Sequence, residues 1–302
     1  MASARASRTS RIEGNAHPSG ERAAGGRGAP HTLARMPSAH PPPHALRALV
    51  TGGAGGIGAA IAAKLAAQGA AVVVTDIDAD RLADTASRLG GYAVPADIAT
   101  PDGVLLGIAA ATERLGGIDA YFANAGIIGG AGLETPDSQW ATTYAINVLA
   151  HVRAARALIP GWVERGHGRF VVTASAAGLL SMLDAAPYAV TKHAAVAFAE
   201  WLSITYGGKG IVVQALCPEG VRTAMLEQAG HLAELLVTHG ARTPEEVADL
   251  VWEALHDNRF LILPHPQVAD YYRARATDTD AWVAGMQRLQ DRFDALKEKA
   301  QS

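Results

Sequence analysis

From Leu46 onward the chain alternates two hydrophobic rhythms. Short β-branched or apolar runs at 46–51, 71–76, 92–95, 118–123, 169–175, 211–217 and 260–263 predict strands. Between them, apolar residues recur at helical spacing over 57–68, 79–89, 101–115, 138–163, 187–206 and 243–256. Regular alternation of strand and helix requires parallel pairing through right-handed crossovers. It predicts an α/β fold: a single doubly wound, seven-stranded parallel (Rossmann) sheet with helices on both faces, over 45–264. A last helical segment, 266–299, carries Tyr271, Tyr272, Trp282, Met286, Leu289 and Phe293, and 265–302 is read as a helical extension that packs on the body or on a second subunit.

Residues 1–44 lack this patterning. They are rich in Ala, Arg, Gly, Ser and Pro, bury too little apolar surface to offset ordering entropy, and are read as a disordered tail. An organelle transit peptide and a translation start at Met36 stay open as alternatives. The net charge of −3 divides into +4 over 1–44 and −7 over the rest, so the body offers no basic face and nucleic acid is not the expected partner. The apolar runs are too short for a membrane span, so no membrane partner is expected. The single cysteine, Cys217, excludes a disulfide scaffold and fits a reducing, cytoplasmic location. No His or Cys cluster has metal-ligand spacing, and no metal is expected.

Chemistry gathers at two places. The first strand runs into Thr51-Gly-Gly-Ala-Gly-Gly-Ile-Gly58 and then a helix, the arrangement that lets backbone amides approach a pyrophosphate at a helix N-terminus. Asp76 ends the second strand, 18 residues after Gly58, where a carboxylate accepts from the adenosine ribose hydroxyls. Asp78 and Asp80 add negative charge, with Arg81 the one nearby base, so NAD is expected over NADP. The bland alternative is that Asp76 caps the next helix, although Asp78 could fill that role. Asp97 follows the third strand and is placed near the adenine amine.

The second place is Tyr188-Ala-Val-Thr-Lys192, a phenol and an ammonium on one helical face, in a helix that Pro187 starts. Ser175 lies 13 residues earlier, where the fifth strand ends and ligands sit in open α/β sheets. A positive charge about 4 Å from the phenol contributes roughly 4 kcal/mol at an effective dielectric of 20, or about three pKa units, so Lys192 is expected to acidify Tyr188. Ser175 would then hold a substrate oxygen while Tyr188 exchanges its proton.

On Thr51–Gly58, Asn124-Ala-Gly126, Ser175 and Tyr188-x-x-x-Lys192, the sequence resembles the short-chain dehydrogenase/reductase family over about residues 45–264. The resemblance implies that the glycine turn, with Thr51, Gly52, Gly56, Ile57 and Gly58, binds the pyrophosphate and that Asp76 selects NAD. It places Asp97 and Ile98 at the adenine, and Asn124, Ala125 and Gly126 beside the cofactor. Asn147 joins Ser175, Tyr188 and Lys192 as a catalytic tetrad, holding a water that relays protons to the lysine. After the sixth strand the family's Pro-Gly-x-Val-x-Thr is Pro218-Glu-Gly-Val-Arg-Thr223 here. Glu219 departs from the pattern, while Pro218, Val221 and Thr223 match the carboxamide contacts. The expected activity is NAD-dependent interconversion of a secondary alcohol and a ketone. A nucleotide-sensing binding protein without turnover is the rival reading. Ile127, Ile128, Met225, Leu226 and Leu179-Leu-Ser-Met-Leu183 are expected to line an apolar substrate pocket. The resemblance also implies that the long helices over 138–163 and 187–206 pair between subunits, as a homodimer or homotetramer. Cys217 is read as a small core residue, and His193 as pointing away from the catalytic face.

Overall fold

A computed structural model describes residues 40–228 and 240–301. Among them, β1 (Arg47–Thr51), β2 (Ala71–Asp76), β3 (Tyr92–Pro95), β4 (Ala120–Ala123), β5 (Gly168–Thr173), β6 (Ile211–Leu216) and β7 (Leu261–Ile262) form one parallel sheet in the order β3-β2-β1-β4-β5-β6-β7. This is the expected seven-stranded, doubly wound sheet. Its order reverses between β1 and β4, which leaves a crevice at their C-terminal ends.

Alternating side chains assign the two faces. Leu49 and Val73 point into one apolar layer, which Tyr121, Phe170 and Trp162 fill. Their neighbours Ala48, Val50, Val72 and Val74 point into the other, with Ile61, Leu65, Val251 and Leu255. The first layer is covered by α3 (Pro101–Leu115), α5 (Ala150–Arg165) and α6 (Ala186–Tyr206), and the second by α1 (Gly56–Ala67), α2 (Ala79–Leu89) and α8 (Pro244–Asp257). Because both faces are covered, the strands are apolar runs without the polar alternation of a half-exposed sheet.

Helix starts follow local chemistry. Asp78 caps α2 by accepting from the Arg81 N–H, and Thr100 caps α3 ahead of Pro101. At α8, Thr243 and Glu246 exchange side-chain-to-backbone bonds, so the Thr243-Pro-Glu-Glu246 start is a capping box.

The structure corrects three elements. The helix expected over 138–163 is α4 (Asp137–Tyr144), a π turn (Ala145–Leu149) and α5, since the Ala150 N–H bonds back to Ala145. The segment expected over 266–299 is two helices, α9 (Gln267–Thr277) and α10 (Thr279–Gln301), broken at Asp278, whose backbone is extended. The fifth strand stops at Thr173, so Ser175 caps a following 3-10 turn (Ala176–Gly178) instead of ending the strand. A short α7 (Ala224–Glu227) had no periodic signal at its length. The tail expected over 1–44 lies outside the described residues as far as 39, as does Met36. Its last residues enter a 3-10 turn, Pro43–Ala45, that leads into β1. Among the described residues no helix is long and apolar enough to cross a membrane.

Candidate active site

A cleft of about 500 Å3 opens over the crevice between β1 and β4. At one end lies the glycine turn. Gly52 sits at φ +68°, and a Cβ there would come within 2.9 Å of the Ala125 Cα and of Asn124 Nδ2. Both requirements exclude a side chain, so glycine lets the turn lie flat against β4. Asn124 fastens that approach: its Nδ2 donates to the Thr51 carbonyl oxygen at 3.0 Å, and its N–H donates to Thr51 Oγ1 at 3.0 Å. Thr173 Oγ1 donates to Asn124 Oδ1 at 3.1 Å, tying in β5.

Helix α1 begins in this turn with no side chain capping its N–H groups, and Gly56 and Ile57 of its first turn face the cleft. Free amides at the positive end of a helix suit an anionic pyrophosphate, so the residues present fit a dinucleotide. Asp76 borders the same space. Its Oδ2 accepts from the Ala54 N–H at 3.1 Å and its Oδ1 from the Asp78 N–H at 3.2 Å, which orients the carboxylate across the turn. Capping of α2 falls to Asp78. Arg81 reaches the cleft beside Gly55 and pairs with Asp78 at 3.9 Å. Asp97 and Ile98 lie on the cleft wall, with Asp97 Oδ1 accepting from the Ala99 N–H at 2.9 Å.

At the other end Ser175, Tyr188 and Lys192 line the cleft together. All three are buried. Ser175 Oγ donates to the Pro218 carbonyl oxygen at 3.4 Å and accepts from the Ala177 N–H at 3.1 Å. Lys192 Nζ donates to the Thr173 carbonyl oxygen at 2.8 Å and stands 5.5 Å from the centre of the Tyr188 ring. Burial pushes the Tyr188 phenol above its usual range, partly offset by a hydrogen bond with Ser175. Burial also lowers the Lys192 ammonium to about 8. The expected acidification of Tyr188 is therefore corrected for the protein alone: desolvation disfavours the charged form of each group, and the phenol sits above its usual range.

Asn147 sits inside the π turn, fully buried and away from the cleft wall. Its Nδ2 donates to the Ile127 carbonyl oxygen at 2.9 Å and to Thr191 Oγ1 at 3.0 Å, while its Oδ1 accepts from the Ile127 N–H at 2.9 Å. The carboxamide thus links the segment following Gly126 to α6. Thr51 and Gly58 also lie behind the wall, where a Cβ on Gly58 would strike the Gly52 carbonyl oxygen and Asn124. Ala125 and Gly126 line the cleft, as do Pro218, Val221 and Thr223. Glu219, the departure from the family pattern, also borders the cleft, and it is tied to the C-terminal side of the fold: its Oε2 accepts from Gln267 Nε2 of α9 at 2.6 Å, and its N–H donates to His265 Nδ1 at 3.1 Å. Ile127, Ile128, Leu180, Met182, Met225 and Leu226 supply the expected apolar lining.

Cys217 is fully buried and its thiol is pushed up to about 12, as a core residue would be. His193 Nδ1 donates to the Ala189 carbonyl oxygen at 2.8 Å, and its Nε2 faces Arg275. Four functional neighbours carried no sequence signal: Thr173 and Thr191, which hold Lys192 and Asn147, Arg275, and His151. A single threonine, arginine or histidine at a strand end or within a helix has no spacing to betray its partner.

A parallel sheet with a glycine turn at its switch point and a serine, tyrosine and lysine in the same cleft defines a nucleotide-binding oxidoreductase of the Rossmann class. A family model, the short chain dehydrogenase, matches residues 47–233. The chain belongs to the short-chain dehydrogenase/reductase family. It is 35% identical to 1-deoxy-11-beta-hydroxypentalenate dehydrogenase of Streptomyces exfoliatus over 82% of this chain and 86% of that one. It is 34% identical to 2-(R)-hydroxypropyl-CoM dehydrogenase of Xanthobacter autotrophicus over 66% of this chain and 84% of that one. A short chain dehydrogenase/reductase from Burkholderia phymatum, solved in complex with NAD, superposes with a TM-score of 0.72 at 29% identity, covering 78% of this chain and 94% of that one.

Proposed function

We propose that the protein interconverts a secondary alcohol and a ketone, using NAD and the group Asn147, Ser175, Tyr188 and Lys192. The observation that carries this reading is the convergence of Ser175, Tyr188 and Lys192 in one apolar cleft continuous with the glycine turn. When bound, the nicotinamide would supply the hydride acceptor or donor and, oxidised, a positive charge that favours the phenolate. The dinucleotide would be held by Gly52, Gly56, Ile57 and Asp76, with Thr51 and Gly58 shaping the turn from behind.

Within this site the Ser175 hydroxyl engages the substrate oxygen and the Tyr188 phenol gives or takes the proton. Lys192, anchored by the Thr173 carbonyl oxygen, places positive charge beside the ring. Asn147 acts through position, since its side chain is committed to Ile127 and Thr191. The adenine would lie by Asp97 and Ile98, and the carboxamide by Pro218, Val221 and Thr223. Exposed Val190, Trp201 and Ile204 along α6 support a homodimer or homotetramer. Complete retention of the four polar residues favours an enzyme over a nucleotide sensor.

A second reading keeps the reaction and uses NADP. It is favoured by Arg81, whose guanidinium reaches Gly55 at the edge of the cleft. Against it stand two carboxylates, Asp76 beside the turn and Asp78 paired with that guanidinium. The deciding experiment measures cofactor reduction with a panel of alcohols in wild type and Tyr188→Phe, together with NAD and NADP affinity. Loss of turnover with NAD binding preserved is expected. Turnover retained by the phenylalanine variant refutes the mechanism.

A further inference from the structure

The segment that joins Ser175 to the Tyr188 helix is fastened from outside by the two C-terminal helices. It spans 179–185, and Leu180, Ser181 and Met182 in its middle line the cleft. At its start the Leu179 carbonyl oxygen accepts from Arg275 Nη1 of α9. The same nitrogen meets His193 Nε2 at 3.0 Å, which secures α9 to α6 one residue past Lys192. At its end Asp184 Oδ2 accepts from Lys297 Nζ of α10 at 2.5 Å, and Oδ1 accepts from Gln290 Nε2 at 3.4 Å. Asp294 pairs with Lys297 at 3.1 Å, and the ammonium lies 5.0 Å from the centre of the Phe293 ring.

An isolated ion pair at this exposure would contribute little. This one is attached to unusual backbone: Asp184 has φ +46°, a left-handed conformation uncommon outside glycine and tolerated best by Asp and Asn. The helices that carry the two cations are themselves docked, since Val268 of α9 and Phe293 of α10 are buried. The clamp therefore transmits a fixed position from the C-terminal helices to both ends of the cleft wall.

We propose that Arg275 and Lys297 are positioning residues that set substrate specificity. By holding Leu179 and Asp184 they keep Leu180 and Met182 as a rigid apolar wall, against which a bulky, ring-containing secondary alcohol rests. This rests on the reaction proposed above and names the substrate class of that site. On this reading a small alcohol reaches Ser175 and Tyr188 without pressing on the wall, whereas a fused-ring alcohol presses on it.

The test compares cyclohexanol with 2-decalol in wild type, Lys297→Met and Asp184→Asn, and follows amide hydrogen exchange over 179–185. Asparagine tolerates the left-handed backbone, so Asp184→Asn separates loss of the tether from misfolding. Both variants are expected to raise KM for decalol by about 5-fold, with kcat for cyclohexanol within about 2-fold of wild type and faster exchange in the segment. Unchanged exchange, or KM for the two alcohols moving together, overturns the clamp. Wild-type turnover of other alcohols but not decalol overturns the substrate class. If no alcohol is turned over, the proposed reaction is what fails, and the exchange over 179–185 decides the clamp by itself.

Discussion

Lys192 Nζ donates to the main-chain oxygen of Thr173 at 2.8 Å, so the ammonium is anchored to the end of β5 while the helix that carries it presents Tyr188 to the cleft. The bond fixes a buried cation where solvent cannot stabilise it, and the cost is visible in the lysine's lowered pKa of about 8.

That cost makes Lys192→Met a stability test. Below pH 8 the folded chain holds a buried ammonium, and between pH 8 and the ordinary lysine range the unfolded chain binds more protons than the folded one, so wild-type stability rises with pH across that window. A shift of this size corresponds to up to about 3 kcal/mol at neutral pH, offset by about 1–2 kcal/mol for the Thr173 oxygen left without its donor. The variant is expected to be more stable than wild type at pH 7 by about 1–2 kcal/mol and to lose the rise above pH 8. Urea midpoints measured across pH check both.

His151 predicts the opposite edge of the pH profile. Both of its ring nitrogens are buried without a hydrogen-bond partner, and burial, helped by Lys192, holds its pKa down at about 3. Because the folded pKa is depressed, this contribution is complete above the ordinary histidine range and is lost as pH falls towards 3, at up to about 1.4 kcal/mol per pH unit. His151→Leu is expected to flatten the loss of stability between pH 6.5 and 4, where His40, held down at about 4, continues to contribute. An unaltered acid slope in thermal melts would count against the assignment.

Gly58→Ala tests the cofactor turn. The new methyl would meet the Gly52 carbonyl oxygen and the Asn124 side chain, which is itself held by Thr51 and Thr173 and cannot yield easily. A cost of about 1–3 kcal/mol is expected, together with NAD binding weaker by at least about 10-fold. Calorimetric titration against NAD reads the second effect directly.

Asp76→Ala tests cofactor choice. It removes the acceptor for the Ala54 and Asp78 amides along with the negative charge at the end of β2. NAD affinity should fall by about 10-fold or more, while NADP, released from repulsion and within reach of Arg81, should lose less or gain. The ratio of the two dissociation constants is the measurement. An unchanged ratio removes Asp76 from the discrimination.

Local pattern by itself determined most of the architecture. Apolar strand runs alternating with helical spacing specify a parallel sheet because only crossovers can join such strands, and Gly52, Gly58 and Asp76 announce a nucleotide site because close backbone approach and a strand-end carboxylate leave marks at short range. The Tyr188–Lys192 spacing was equally legible, since four residues is one helical turn. Tertiary structure alone decided whatever depended on residues far apart in the chain. It brought Thr173 to Lys192, Thr191 and Ile127 to Asn147, and Arg275 and Lys297 to the wall at 179–185. It also turned the expected acidification of Tyr188 into a rise, because desolvation depends on everything packed around a charge, and spacing along one helix carries no record of that surrounding volume.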